Sequence, residues 1–174
     1  MTVWFWSDPH FGHKNILAYE KRPFVSTQEM DECLIRIYNL QVKPGDVVFW
    51  LGDIFFCNAE RMRWIVSQMD LTRARNILIR GNHDRGISNG KFRKLGFWPV
   101  YYYLYESLLL SHYPLSSTLL EQASWAEGKI LYNVHGHTHG QETGLDPARW
   151  QCVSVEKTNY QLLSYEDVIH RLKG

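Results

Sequence analysis

The chain is poor in cysteine, has no long apolar run and is almost balanced in charge. Its 174 residues include only Cys33, Cys57 and Cys152, an odd number, widely separated and without a C-x-x-C pair. That usage argues against a disulfide framework and predicts reduced thiols in a cytoplasmic setting. The apolar opening Val3-Trp4-Phe5-Trp6 is far too short to cross a bilayer and has no basic n-region or cleavage site, so it reads as a buried strand and no membrane partner is expected. A formal net charge of +1 excludes the polybasic signature of a general nucleic-acid coat, though Lys14, Arg80 and Arg85 could form a local patch for an anionic substrate. Internal repeats, low-complexity tracts and interdomain linkers are also missing. With 45% hydrophobic residues, the expectation is one domain over residues 1–174 with a sizeable core.

What is present is a set of glycine- or turn-flanked polar clusters: Ser7-Asp8-Pro9-His10, Gly52-Asp53, Gly81-Asn82-His83-Asp84 and His135-Gly136-His137-Thr138-His139. Each has the composition of a strand end opening into a tight loop that aims oxygen and nitrogen donors at one place. Asp8 and His10 are two apart, so on an extended strand they would share a face, and His137 and His139 repeat that spacing. Adding Asp53, Asn82 and His112 gives seven candidate ligands, more than one tetrahedral ion uses. Two ions bridged by a carboxylate would employ them all, in the arrangement that clamps the attacking and leaving oxygens of an in-line displacement. That many convergent donors would be costly to bury without a cation.

The apolar runs at 3–6, 47–51, 77–79 and 130–134 each end at one of these motifs, as expected of buried strands whose carboxyl ends carry a site. Helices are predicted between them. Ser26-Thr27-Gln28-Glu29 is a capping box followed by Met30, Cys33, Leu34, Ile37 and Tyr38 at helical spacing. Asn58 can cap a second helix with the stripe Met62, Ile65, Val66 and Met69, which reads as core, and Ser164 with Asp167 can start a last one through Val168, Ile169 and Leu172. Tyr101 to Tyr105 and Leu108 to Leu110 look like paired strands turning near Glu106-Ser107. This order suits an α/β fold of two packed sheets flanked by helices.

The motifs Asp8-x-His10, Gly52-Asp53, Gly81-Asn82-His83-Asp84, the lone His112 and Gly136-His137-x-His139 occur in the order and approximate spacing of the calcineurin-like metallophosphoesterases, a family that the chain resembles from residue 7 to residue 139. Ser7-Asp8-Pro9-His10-Phe11-Gly12-His13 with Arg22-Pro23-Phe24 is similar to its small, catalytic-domain-only bacterial and phage branch. The resemblance implies an αββα sandwich of two mixed β-sheets and a two-metal site. It implies Asp8, His10 and His139 on one divalent ion, Asn82, His112 and His137 on the other, and Asp53 as the bridge. A water or hydroxide between the ions would be the nucleophile. His83 would meet the phosphate and protonate the leaving oxygen, with Asp84 orienting it. His13 and Arg85 are candidates to touch substrate, while His135 reads as ending a strand in a supporting hydrogen bond.

One departure bears on substrate. Protein serine/threonine phosphatases of the superfamily carry Asp-Arg after the Gly-Asp and close the third motif with Glu, whereas here Ile54-Phe55-Phe56-Cys57 follows Asp53 and Asp84 closes the motif. Without that clamping arginine, an apolar wall beside the metals suits a phosphodiester, such as a nucleotide or another small diester. The alternatives are a phosphomonoesterase acting on a nucleotide, sugar phosphate or phosphoprotein, and a non-catalytic scaffold. The mixed donors accept Mn2+, Fe2+, Zn2+ or Ni2+, with Mn2+ the ion to supply in vitro. If bases stack on this chain, Trp50, Phe55 or Phe56 is the expected place, since adjacent members of the Tyr101-Tyr102-Tyr103 run would face opposite ways on a strand. A homodimer is left open.

Overall fold

Residues 1–173 are described by a computed structural model. The first half alternates strand and helix: β1 (Val3–Trp6), α1 (Ile16–Tyr19), α2 (Thr27–Gln41), β2 (Val47–Trp50), α3 (Ala59–Gln68), β3 (Arg75–Ile79), α4 (Asn89–Lys94) and β4 (Phe97–Val100). Strands then dominate: β5 (Tyr103–Tyr105), β6 (Leu108–Leu110), α5 (Ser117–Ala126), β7 (Tyr132–His135), β8 (Trp150–Cys152), β9 (Leu163–Ser164) and α6 (Tyr165–Lys173). One sheet has the order β4-β3-β2-β1-β9 and the other β5-β6-β7-β8. Both are mixed, because β9 runs antiparallel to β1 and β5 antiparallel to β6 while the remaining pairs are parallel. Two mixed sheets flanked by helices are the expected architecture.

The alternation of strand side chains builds two apolar layers. Trp6, Val48, Trp50 and Leu78 face the helices and pack with Met30, Leu34 and Tyr38 of α2 and Met62 and Ile65 of α3. Val3, Phe5, Phe49, Leu51, Ile77 and Ile79 face the other way, onto Leu108, Leu110 and Val134 of the second sheet, with Val168 and Leu172 of α6. The sheets meet beyond the carboxyl end of β1, where the Ser7 N–H donates to Val153 O at 3.1 Å and the Val155 N–H to Ser7 O at 3.1 Å.

The three expected caps form. Ser26 accepts from the Glu29 N–H, Asn58 from the Arg61 N–H and Ser164 from the Asp167 N–H. The Glu29 carboxylate reaches the Val25 N–H, one residue before the position a capping box uses. Two strand expectations need correction. Ile130 lies outside β7 and is exposed, and the tyrosine run enters β5 only at Tyr103. Tyr101 and Tyr102 are therefore in irregular backbone and both are exposed, free of the strict alternation that a strand imposes. The helices α1, α4 and α5 and the strands β4, β8 and β9 are not legible in the sequence, being short and lacking sustained periodicity.

Candidate metal centre

The polar motifs all lie at or just beyond the carboxyl ends of strands, where parallel sheets place their ligand sites. Asp8 and His10 follow β1, Asp53 follows β2, Asn82 and His83 follow β3, His112 follows β6, and His137 and His139 follow β7. The loops are laced together by backbone bonds: Asp8 N–H to Gly52 O at 3.1 Å, His10 N–H to Asp53 O at 3.1 Å and Gly136 N–H to His112 O at 3.0 Å.

Asp8 and His10 do not share the face of an extended strand. Asp8, His10, Asp53, His137 and His139 all have left-handed backbone, with φ of 56°, 49°, 54°, 68° and 47°. Each such non-glycine residue costs on the order of 1 kcal/mol, so the strain is concentrated at the candidate ligands. Glycines supply the clearance around them. A Cβ on Gly136 would lie 1.9 Å from Ser7 Oγ and 2.5 Å from Asp8 Oδ2, and one on Gly52 would lie 2.4 Å from His112 Nδ1. The latter glycine also needs its φ of 100°.

Asp8, fully buried, splits its carboxylate between two tasks. Oδ2 accepts from the His137 N–H at 2.9 Å and from Ser154 Oγ at 2.8 Å, whereas Oδ1 has no hydrogen-bond partner among the described residues and lies 3.9 Å from both His10 Nε2 and His139 Nε2. Neither ring nitrogen of buried His10 has a partner either. Burial, reinforced by the nearby His139 and Arg22, holds His10 far below the usual histidine range, in the neutral form that ligates cations.

Asp53 stands between the two halves of the cluster, with Oδ2 at 3.7 Å from His10 Nε2 and 3.5 Å from His112 Nε2. Burial raises its pKa above the ordinary carboxylate value, His112 opposes the rise and the Asp8 carboxylate adds to it. His112 donates from Nδ1 to Leu51 O at 2.7 Å, which leaves the Nε2 lone pair facing Asp53 Oδ2 and, at 3.0 Å, Asn82 Oδ1. With the His112 ring neutral these are three acceptors turned toward one another, a set that a cation between them would satisfy. Asp8, His10 and His139 form one group able to hold an ion, and Asp8, Asp53 and His112 another. His137 lies beside the second group, its ring 5.2 Å from that of His112. The orphaned acceptors, the neutral His10 and the mixed oxygen and imidazole donors fit a pair of divalent cations.

His83 is different. Its ring is 40% exposed, packs edge-on against Phe56 and His10, and places Nε2 3.9 Å from Asp53 Oδ2. The His13 ring packs tilted against Phe56 with centroids 4.0 Å apart, and burial lowers its pKa. Asp84 does not orient the His83 ring as the resemblance implied. Its buried carboxylate turns inward and accepts from the backbone N–H groups of Gly81 at 2.8 Å, Asp53 at 2.9 Å and Ile54 at 3.2 Å, clipping two ligand loops together. Burial raises its pKa against the pull of those three donors. Of the expected basic patch, Arg80 and Arg85 line one cleft beside Asn82, Arg80 engaged with Asn89 and with the carbonyls of Asp84 and Ile87 and Arg85 exposed, while Lys14 is an exposed residue that does not line it. The apolar wall after Asp53 is narrower than the sequence suggests, since Ile54 and Phe55 are core and Phe56 is the exposed aromatic. Trp50 is fully buried, and neither it nor Phe55 is available to a base.

Sequence reasoning missed the support beneath His139. Glu156 Oε1 is 3.2 Å from His139 Nδ1 and also accepts from Arg22 Nη2 at 2.6 Å, while Arg22 donates to the carbonyls of Asp8 and Pro9 at 2.7 Å each. Burial alone would raise the Glu156 pKa, but the His139 hydrogen bond and the Arg22 charge hold it below the usual range. The same hydrogen bond and the Asp8 charge outweigh burial at His139 and raise its pKa. Only tertiary structure connects these residues, because Glu156 and Ser154 stand in a segment with no motif of its own.

An uncharacterised protein of Methanocaldococcus jannaschii is 32% identical over 172 residues, covering 96% of this chain and 89% of that one. A gene 66 protein of Mycobacterium phage L5 is 28% identical over 163 residues, 79% of this chain and 77% of the phage protein. Among solved structures, a protein of unknown function from Aquifex aeolicus superposes with a TM-score of 0.73 at 25% identity, over 96% and 97% of the two chains. A nuclease from Pseudomonas putida shares the fold with a TM-score of 0.54 at 18% identity, over 79% and 61%. The family model for calcineurin-like phosphoesterases matches residues 1–171, and the chain belongs to that family.

Proposed function

We propose that this protein is a phosphoesterase dependent on two divalent cations, acting on a phosphodiester that carries a nucleotide or another small organic group. The observation that carries the reading is a set of buried polar atoms without partners among the described residues, Asp8 Oδ1 and the two ring nitrogens of His10, facing Asp53, His112 and His139. Asp8, His10 and His139 would hold one ion and Asn82, His112 and His137 the other, with Asp53 shared. Bound there, the cations supply Lewis-acid chemistry, lowering the pKa of water and neutralising phosphate oxygens.

The remaining steps belong to the chain. The exposed ring of His83 stands beside Asp53 and is free to hold a proton for the leaving oxygen. Asp84 is a positioning residue that fixes the Gly81 and Asp53 loops, and Phe56 with His13 walls one side of the opening. The segment after Asp53 supplies no arginine, Ile54 and Phe55 being core and Phe56 the exposed aromatic, which suits a monoanionic diester better than a dianionic monoester. A reducing, cytoplasmic setting is supported by three free thiols, and no helix among the described residues is long and apolar enough to cross a membrane.

The test is hydrolysis of bis(p-nitrophenyl) phosphate against p-nitrophenyl phosphate with added Mn2+. A higher kcat/KM on the diester supports the reading, a comparable value on the monoester favours a phosphomonoesterase, and activity on neither favours a metal-binding scaffold.

A further inference from the structure

Beside the ligand cluster a cleft of about 480 Å³ opens at Asn82 and His112, and its walls carry Tyr101, Tyr102, Tyr113 and Arg85. Tyr101 is 67% exposed, Tyr102 64% and Tyr113 45%, a concentration of aromatic surface that a folded chain leaves in water at a cost. The irregular backbone at residues 101–102 is what allows neighbouring tyrosines to line the same cleft. Tyr113 is anchored at the metal end, its ring 4.2 Å from that of His137 and 5.1 Å from that of His112. His83 faces a different opening, lined by Phe56.

We propose, building on the phosphodiesterase reading, that this cleft is a nucleoside subsite, in which a base stacks on the tyrosines while Arg85 meets the adjoining phosphate or sugar. Three lines of chemistry support the assignment. Planar aromatic surface with a cation at its edge is the complement of a base joined to an anionic backbone. The cleft lies within the usual size range of small-ligand sites. Its end at Asn82 and His112 places a stacked nucleoside next to the candidate ions, so the retained arm of the diester occupies the cleft while the leaving group departs past His83.

The experiment compares thymidine 5′-(p-nitrophenyl) phosphate with ethyl p-nitrophenyl phosphate, which share a leaving group and differ only in the retained arm. Wild-type protein should favour the nucleoside ester, and Tyr101→Ala with Tyr102→Ala should lower that selectivity by roughly ten-fold or more, the scale of lost base–aromatic stacking. Tyr101→Leu with Tyr102→Leu keeps apolar bulk but removes the rings and should lower it similarly. Equal kcat/KM on the two esters in the wild type, or selectivity unchanged in both double variants, overturns the subsite. Should neither ester be hydrolysed, the phosphodiesterase reading fails by itself, and saturation-transfer NMR with thymidine 5′-monophosphate decides the cleft. Base-proton transfer that the tyrosine variants lose upholds it, and no transfer in the wild type overturns it. Stronger competition by a single-stranded oligothymidylate than by the mononucleotide would identify a strand end as the source of the nucleoside, and the reverse order a free nucleotide ester.

Discussion

Replacing Arg22 with methionine separates the structural support of the candidate metal centre from the centre itself. The guanidinium is fully buried and makes five hydrogen bonds, two to Glu156 at 2.6 and 2.9 Å, one each to the carbonyls of Asp8 and Pro9 at 2.7 Å and one to Met30 Sδ at 3.2 Å. Methionine refills most of the stem's volume, so the loss is polar. Two carbonyls lose a charged donor, worth about 1–3 kcal/mol each, and Glu156 becomes a buried carboxylate with only His139 beside it, a kind of rupture that costs about 3–5 kcal/mol. These terms overlap, and a net loss of about 4 kcal/mol is expected, close to half the stability of an ordinary domain. With a urea m-value of about 2 kcal/mol/M, the midpoint should fall by about 2 M. Urea titration in the presence of a chelator removes any contribution from bound metal. Adding Glu156→Gln to Arg22→Met removes the stranded charge and should restore part of the loss, a coupling of about 0.5–3 kcal/mol. A midpoint shift under about 0.5 M, or a double variant no more stable than Arg22→Met alone, would refute the buried-pair argument.

Asp53→Asn should lower occupancy of both ions together, because Asp53 Oδ2 faces His10 and His112 at once, whereas changing His10 should mainly empty one site; metal analysis showing two equivalents per chain in Asp53→Asn would end the bridging assignment. His83→Asn should keep both metals and lose roughly 10²–10⁴ in rate, with a larger loss on an alkyl diester than on a nitrophenyl diester, since the alkoxide depends on a proton to leave. An equal loss on both substrates would assign His83 to phosphate binding instead. Gly136→Ala forces a Cβ to 1.9 Å from Ser7 Oγ and 2.5 Å from Asp8 Oδ2, so it should weaken metal binding and lower Tm; a variant matching wild type in Tm and metal content would show that the loop relaxes freely.

Much of this protein is written locally in its sequence. The capping residues Ser26, Asn58 and Ser164 start their helices because a side-chain oxygen and an N–H three residues on are near one another whatever the rest of the chain does. The strands leading into Asp8, Asp53 and Asn82 are announced by apolar runs, and the motif glycines by the tight approaches they permit. Tertiary structure decided the rest. Asp84 stands next to His83 in sequence, yet its carboxylate serves three backbone N–H groups instead, since a buried acceptor takes the donors that two converging loops leave unpaired. Adjacent tyrosines 101 and 102 line one cleft because the strand starts only at Tyr103, a boundary set by pairing of β5 with β6. Glu156 meets His139 and Arg22 only after the chain returns from the second sheet to the end of β1. Local sequence specifies the ligand types and the turns that carry them; partners brought together by the packing of two sheets, with no fixed spacing along the chain, specify their orientation.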